Sequence, residues 1–68
     1  MAVRMEIVEN LLVLPSKTSY HLEVNLIKWN GADAKVDIRR WNEDRSKMTK
    51  GVTLTKEEFK EIKDAINI

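Results

Sequence analysis

Two alternating segments joined by Asn30-Gly31 constrain this chain more than any other feature in it. From Tyr20 to Trp29, residues Tyr20, Leu22, Val24 and Leu26 fall on one side of an extended backbone. His21, Glu23, Asn25, Ile27 and Trp29 fall on the other. A side-chain period of two marks a strand, here with an apolar face predicted to be buried and a mostly polar face predicted to be wet. Asn-Gly is the dipeptide that most readily supplies the two positive φ angles of a tight hairpin turn, and Ala32-Asp33-Ala34 lengthens that turn. Lys35 to Trp41 then alternates again, with Val36 and Ile38 inward and Lys35, Asp37, Arg39 and Trp41 on the opposite face. A hairpin is the nucleus of the fold.

The flanking segments complete it. Met5 to Leu14 is apolar, and its β-branched Ile7, Val8 and Val13 favour a strand, although Leu11-Leu12 blurs the alternation. Pro15 to Ser19 reads as a loop, as does the polar run Asn42 to Lys50, anchored by Met48. Gly51 to Leu54 predicts a short fourth strand with Val52 and Leu54 facing in. Thr55 and Glu58 have the spacing of a capping box, and a helix is expected from about Lys56 to Asn67. Phe59, Ile62 and Ile66 share one side of it. The order ββββα predicts a single α+β domain over residues 1–68, an antiparallel four-stranded sheet with one C-terminal helix on its apolar face.

Size sets the next expectation. A chain of about 60 residues buries only about 60% of its unfolded surface and commonly needs a disulfide, a metal or a partner. There is no cysteine, and His21 is the only histidine, so disulfides are excluded and neither a metal site nor a cofactor is expected. Oligomerisation is left, and a 12-residue helix about 18 Å long cannot cover four strands. At least a dimer is expected. No apolar run approaches the ~20 residues of a membrane span, nor is there a secretory apolar region, so a cytoplasmic chain is expected, with nucleoid association left open.

The formal net charge of +1 conceals an uneven distribution. Residues 28–50 carry seven basic groups against four acidic ones, a local +3, whereas residues 1–27 and 51–68 are each −1. Both tryptophans lie in that basic third, and Trp29, Lys35, Arg39 and Trp41 share one predicted sheet face. Single-stranded nucleic acid presents a line of phosphates and unpaired bases with open π-faces. Cations answer the first and aromatic rings the second, at about 1–3 kcal/mol per stacked base. Each residue also has a plainer reading: Trp29 can close the end of the sheet, Trp41 can pack beneath the polar loop, and the lysines and arginines can be solvated strand positions. A protein-interaction module using the Trp-bearing face is the alternative function. RNA is a second alternative, because only contacts to the 2′-hydroxyl separate it from DNA on an open sheet.

No catalytic residue is expected. His21 lacks an acid or nucleophile partner, Glu23 and Asp37 on adjacent strands make a weak pair, and no phosphate-cradling glycine loop or nucleophile elbow is present. No small-molecule substrate is implied.

The run Lys35-Val36-Asp37-Ile38-Arg39 with Trp41, then Lys47-Met48, then Lys50-Gly51-Val52-Thr53-Leu54 before a capped helix with Phe59, resembles the positive cofactor four family of single-stranded DNA binders. With Leu26-Ile27-Lys28-Trp29-Asn30-Gly31 upstream, it is most similar to the short bacterial members, the YdbC type; the resemblance spans about residues 20–67. It implies a strongly curved sheet, a homodimer formed largely through the helix (Phe59, Ile62, Ile66), and binding of single-stranded DNA with little sequence specificity. Residues implied at the interface are Trp29 and Trp41 as base stackers and Lys35, Arg39, Lys47 and Lys50 as phosphate contacts, with Arg45 reaching in from the loop. The chain departs from the eukaryotic pattern at Arg39-Arg40-Trp41, where those members carry an adjacent aromatic pair. It also lacks their serine-rich extension, so the implied activity is binding, with a role in transcription, replication or repair left open.

Overall fold

The computed structural model describes residues 4–66. It contains β1 (Met5–Val13), β2 (Tyr20–Trp29), β3 (Lys35–Asn42), β4 (Val52–Leu54) and α1 (Lys56–Ala65). The strands form an open antiparallel meander in the order β1-β2-β3-β4, so each pairs with its neighbour in sequence. The fold is α+β, ββββα. Helix α1 packs against β3 and β4 at one end of the sheet.

The hairpin forms where the alternation placed it. Asn30 (φ 52°) and Gly31 (φ 78°) both take positive φ, and the Ala32 N–H donates to the Trp29 carbonyl at 2.9 Å, closing a primed turn. The register of β2 with β3 runs unbroken from Tyr20↔Asn42 to Ile27↔Lys35. Opposed residues share a face. One face therefore carries His21, Glu23, Asn25, Ile27 and Trp29 with Lys35, Asp37, Arg39 and Trp41, and Thr53 of β4 joins it opposite Asp37. The other carries Leu22, Val24, Leu26, Val36 and Ile38 with Val52 and Leu54.

β1 explains its own blurred pattern. Its register with β2 shifts between Ile7 and Glu9 and again between Asn10 and Leu12. Each shift inserts one extra residue, a β-bulge, and resets the period of two. Val8 and Glu9 thus both fall with Leu26, and Leu11 and Leu12 both fall with Val24. Two bulges gather Val8, Leu11 and Leu12 on the apolar side, while Ile7, Asn10 and Val13 join the Trp-bearing side.

The capping box is formed: the Glu58 N–H donates to Thr55 Oγ1 at 3.0 Å and the Thr55 N–H donates to Glu58 Oε1 at 2.8 Å. Glu57 and Glu58 in the first turn and Lys63 in the last complement the helix dipole. The helix ends at Ala65, with Ile66 as its C-cap, earlier than the expected Asn67, which lies outside the described residues.

Burial corrects one expectation. Val24 and Val36 are buried as the alternation required, but most of the apolar face stays open: Val52, expected to face in, is 55% exposed, and no residue of α1 is buried. The polar face holds the most enclosed side chains instead, Glu23, Asn25, Ile27, Asp37 and Trp41. The cause is reach. A 10-residue helix about 15 Å long covers only the β3–β4 end. On the other face, long side chains fold over their neighbours and roof the sheet without a second layer.

Candidate nucleic-acid interface

Two arginine–carboxylate pairs build that roof. Asp37 has no solvent exposure; its Oδ1 accepts from Arg39 Nε and its Oδ2 from Arg39 Nη2, both at 2.6 Å. Thr53 Oγ1 donates to the same Oδ2 at 3.1 Å. The Arg39 guanidinium lies over the Trp29 ring, 5.0 Å from its centroid, within cation–π range. Its remaining terminal nitrogen, Nη1, donates to Met48 Sδ at 3.3 Å. Trp29 and Arg39 lean toward one another along the sheet, and Asn25, Ile27 and Asp37 between them are fully enclosed.

The second pair closes the other end. Glu23, 1% exposed, accepts from Arg45 Nε at 3.0 and 3.2 Å, from Asn25 Nδ2 at 3.1 Å, and bonds His21 Nε2. Asn10 of β1 donates to Asn25 Oδ1 at 2.6 Å and, more weakly, to Glu23 Oε1 at 3.4 Å. Arg45 sits at φ 59°, a left-handed conformation that a non-glycine residue adopts at some cost. That conformation aims it from the loop at a carboxylate 22 residues earlier in the chain. Asn42 organises the same loop: its Oδ1 accepts the Lys47 N–H at 2.9 Å and its Nδ2 donates to Ser46 Oγ at 2.9 Å.

Burial alone would push the Glu23 carboxyl up, but the bonds from Arg45, Asn25 and His21 outweigh it and hold its pKa below the ordinary carboxylate value. A carboxyl with a depressed folded pKa adds stability that is complete above its unfolded value and is lost as pH falls through the folded one. Thermal melts from neutral pH into acid should therefore show a fall in melting temperature beginning near the ordinary carboxylate range. Glu23→Gln should flatten that acid limb; an unchanged limb would remove Glu23 from it.

The expected site residues divide by placement. Trp29, Lys35, Arg39 and Trp41 do share one face. Trp29 is partly exposed, whereas Trp41 is 2% exposed, opposite His21 and bridged to Met48 of the loop. Trp41 offers a base almost no surface in this structure. Both indole Nε1–H groups are buried, with no acceptor among the described residues. Arg39 and Arg45 are committed to Asp37 and Glu23, and among the described residues none of Lys35, Lys47 and Lys50 is in an ion pair. These three lysines are exposed. Arg40 lies on the apolar face, opposite Leu22. Phe59 is half-buried, and Ile62 and Ile66 are exposed.

Sequence reasoning missed the polar floor: Asn10, Asn25 and the anchoring roles of Glu23 and Asp37. Its one visible signal was parity, since Glu23, Asn25 and Asp37 alternate in phase with both tryptophans. Among the described residues no cluster of three or more His, Asp or Glu side chains could hold a metal, and no helix is long and apolar enough to cross a membrane.

The family described as Transcriptional Coactivator p15 (PC4) matches residues 16–65, which includes β2, β3, β4 and α1. This chain belongs to that family. Its members are non-enzymatic nucleic-acid-binding proteins, in keeping with a face built from tryptophan, arginine and lysine. An uncharacterized protein of Treponema pallidum (strain Nichols) is 48% identical over 52 residues, 76% of this chain. The chain spans 61% of that relative's length.

Proposed function

We propose that this chain binds single-stranded DNA, as a homodimer and with little sequence preference, across the sheet face that carries Trp29, Arg39 and Trp41. The observation that carries the reading is the Trp29–Arg39 contact on an open sheet, with Lys35 and, from the β3–β4 loop and its exit, Lys47 and Lys50 exposed and, among the described residues, in no ion pair. The lysines neutralise phosphates, and the Trp29–Arg39 pair accepts unpaired bases, whose π-faces a duplex keeps stacked inside.

A second copy answers the other face. Val8, Leu11, Leu12, Leu14, Val52, Ile62 and Ile66 are each 43–57% exposed, and large apolar side chains left open in number suit a partner surface. Pairing through Phe59, Ile62 and Ile66 would cover it and present the basic third of the chain twice.

Fluorescence titration with oligo-dT, with sedimentation on the same sample, tests both parts. We expect micromolar or tighter binding by a dimer at low salt, tryptophan quenching, and log affinity falling linearly with log salt by about 0.7 per phosphate neutralised. Absence of binding at low salt would overturn the reading. Saturable binding of a protein partner with weak salt dependence would favour an interaction module. Competition by matched RNA at equal strength would replace DNA by single-stranded nucleic acid of either sugar.

A further inference from the structure

We propose that Arg39 is a base-stacking platform of this face and not one of its phosphate ligands. The proposal rests on the single-strand reading above and assigns Arg39 a role different from that of the lysines.

Arg39 Nε and Nη2 meet the two oxygens of a fully buried Asp37, a bidentate fork that brings the guanidinium and carboxylate into one plane. Nη1 is met by Met48 Sδ. Three of the five guanidinium N–H groups thus have partners, and the charge is matched by a carboxylate at 2.6 Å. The plane is the other surface that the side chain offers. Trp29 lies against one side of it at 5.0 Å, and the side chain keeps 13% exposure. A flat, delocalised, weakly hydrated cation that keeps some exposure is a surface for a nucleobase, since guanidinium planes stack on π-systems.

The surroundings hold that plane in place. Thr53 fixes the Asp37 carboxylate from β4. Gly51 gives the arginine stem its room: a Cβ at that position would stand 2.6 Å from the Ile38 carbonyl oxygen and 2.9 Å from Arg39 Nε, and closer still to Arg39 Cβ. Asp37, Gly51 and Thr53 are positioning residues for that plane. A phosphate would meet a charge that Asp37 already matches.

Arg39→Lys separates the roles because it keeps the charge and removes the plane. Wild type and R39K are titrated with oligo-dT and with an abasic deoxyribose-phosphate strand of the same length, over a range of salt. Loss of roughly tenfold or more in oligo-dT affinity is expected, with the salt slope and the abasic-strand affinity unchanged. R39K binding oligo-dT within about twofold of wild type, or losing both ligands equally, would overturn the proposal. Should R39K fail to fold by circular dichroism, the wild-type protein decides by NMR. The Arg39 Nε–H proton is expected to move upfield with oligo-dT and to stay in place with the abasic strand; no upfield shift with oligo-dT overturns the proposal. A wild-type chain that ignores oligo-dT altogether overturns the single-strand reading itself, a result distinct from a defect confined to R39K.

Discussion

Asp37→Ala should lower the stability of this chain by about 3 kcal/mol, measured as a shift in the urea midpoint at constant slope. Breaking a buried ion pair from one side costs about 3–5 kcal/mol. Here the partner left behind is Arg39, which keeps some exposure and can swing toward water, so the low end applies. Thr53 Oγ1 loses its acceptor as well. Small domains hold roughly 0.05–0.15 kcal/mol per residue, so such a loss removes a large part of the total. Asp37→Asn, which keeps the shape and one acceptor oxygen, should cost clearly less. Changing the pair together, Asp37→Leu with Arg39→Met, should recover most of the stability, because replacing both members of a buried pair by apolar groups is often neutral. It should not recover binding to oligo-dT. A midpoint for Asp37→Ala that matches wild type would show that the pair is not holding the face.

The second large effect is Trp41→Ala, expected to cost about 3–5 kcal/mol in folding stability, the range for removing a buried aromatic side chain. Trp41 is enclosed between the β2–β3 face and the loop strand at Met48, so its removal leaves a cavity under that loop. Trp29→Ala is the informative contrast. Trp29 is partly exposed and partnered by Arg39, so its loss should be small in a melt and large in an oligo-dT titration, about 1–3 kcal/mol per base no longer stacked. If Trp41→Ala melts like wild type yet loses oligo-dT, Trp41 meets bases directly and the loop opens to admit them.

The order of elements was legible because strands and helix each rest on local signals. The period of two, Asn30-Gly31 and the Thr55–Glu58 box act within a few residues, and each formed where the sequence placed it. β1 resisted reading for a physical reason. A bulge inserts one residue without any fixed residue type, so Val8 and Leu11 break the alternation with no marker to predict it. Burial was the least legible. Which face is enclosed depends on side chains that fold over the sheet, and Arg45 reaches Glu23 only because a positive φ turns the loop back. Parity placed Trp29, Lys35, Arg39 and Trp41 together, but parity carries no information on which cations are already spoken for. Glu23 and Asp37 take the arginines and leave the lysines, a division set by reach across the folded sheet.

The two bulges in β1 have a further consequence, for how copies of this chain meet. An open sheet has two free edges, and a straight edge strand is a template for another chain's backbone. Here one edge, β1, is interrupted by bulges at Val8 and Leu11, and the other, β4, is only three residues long. Neither offers a run long enough for end-on strand addition to propagate. The homodimer proposed above would therefore form through faces and not edges, a closed pair and not a growing ribbon.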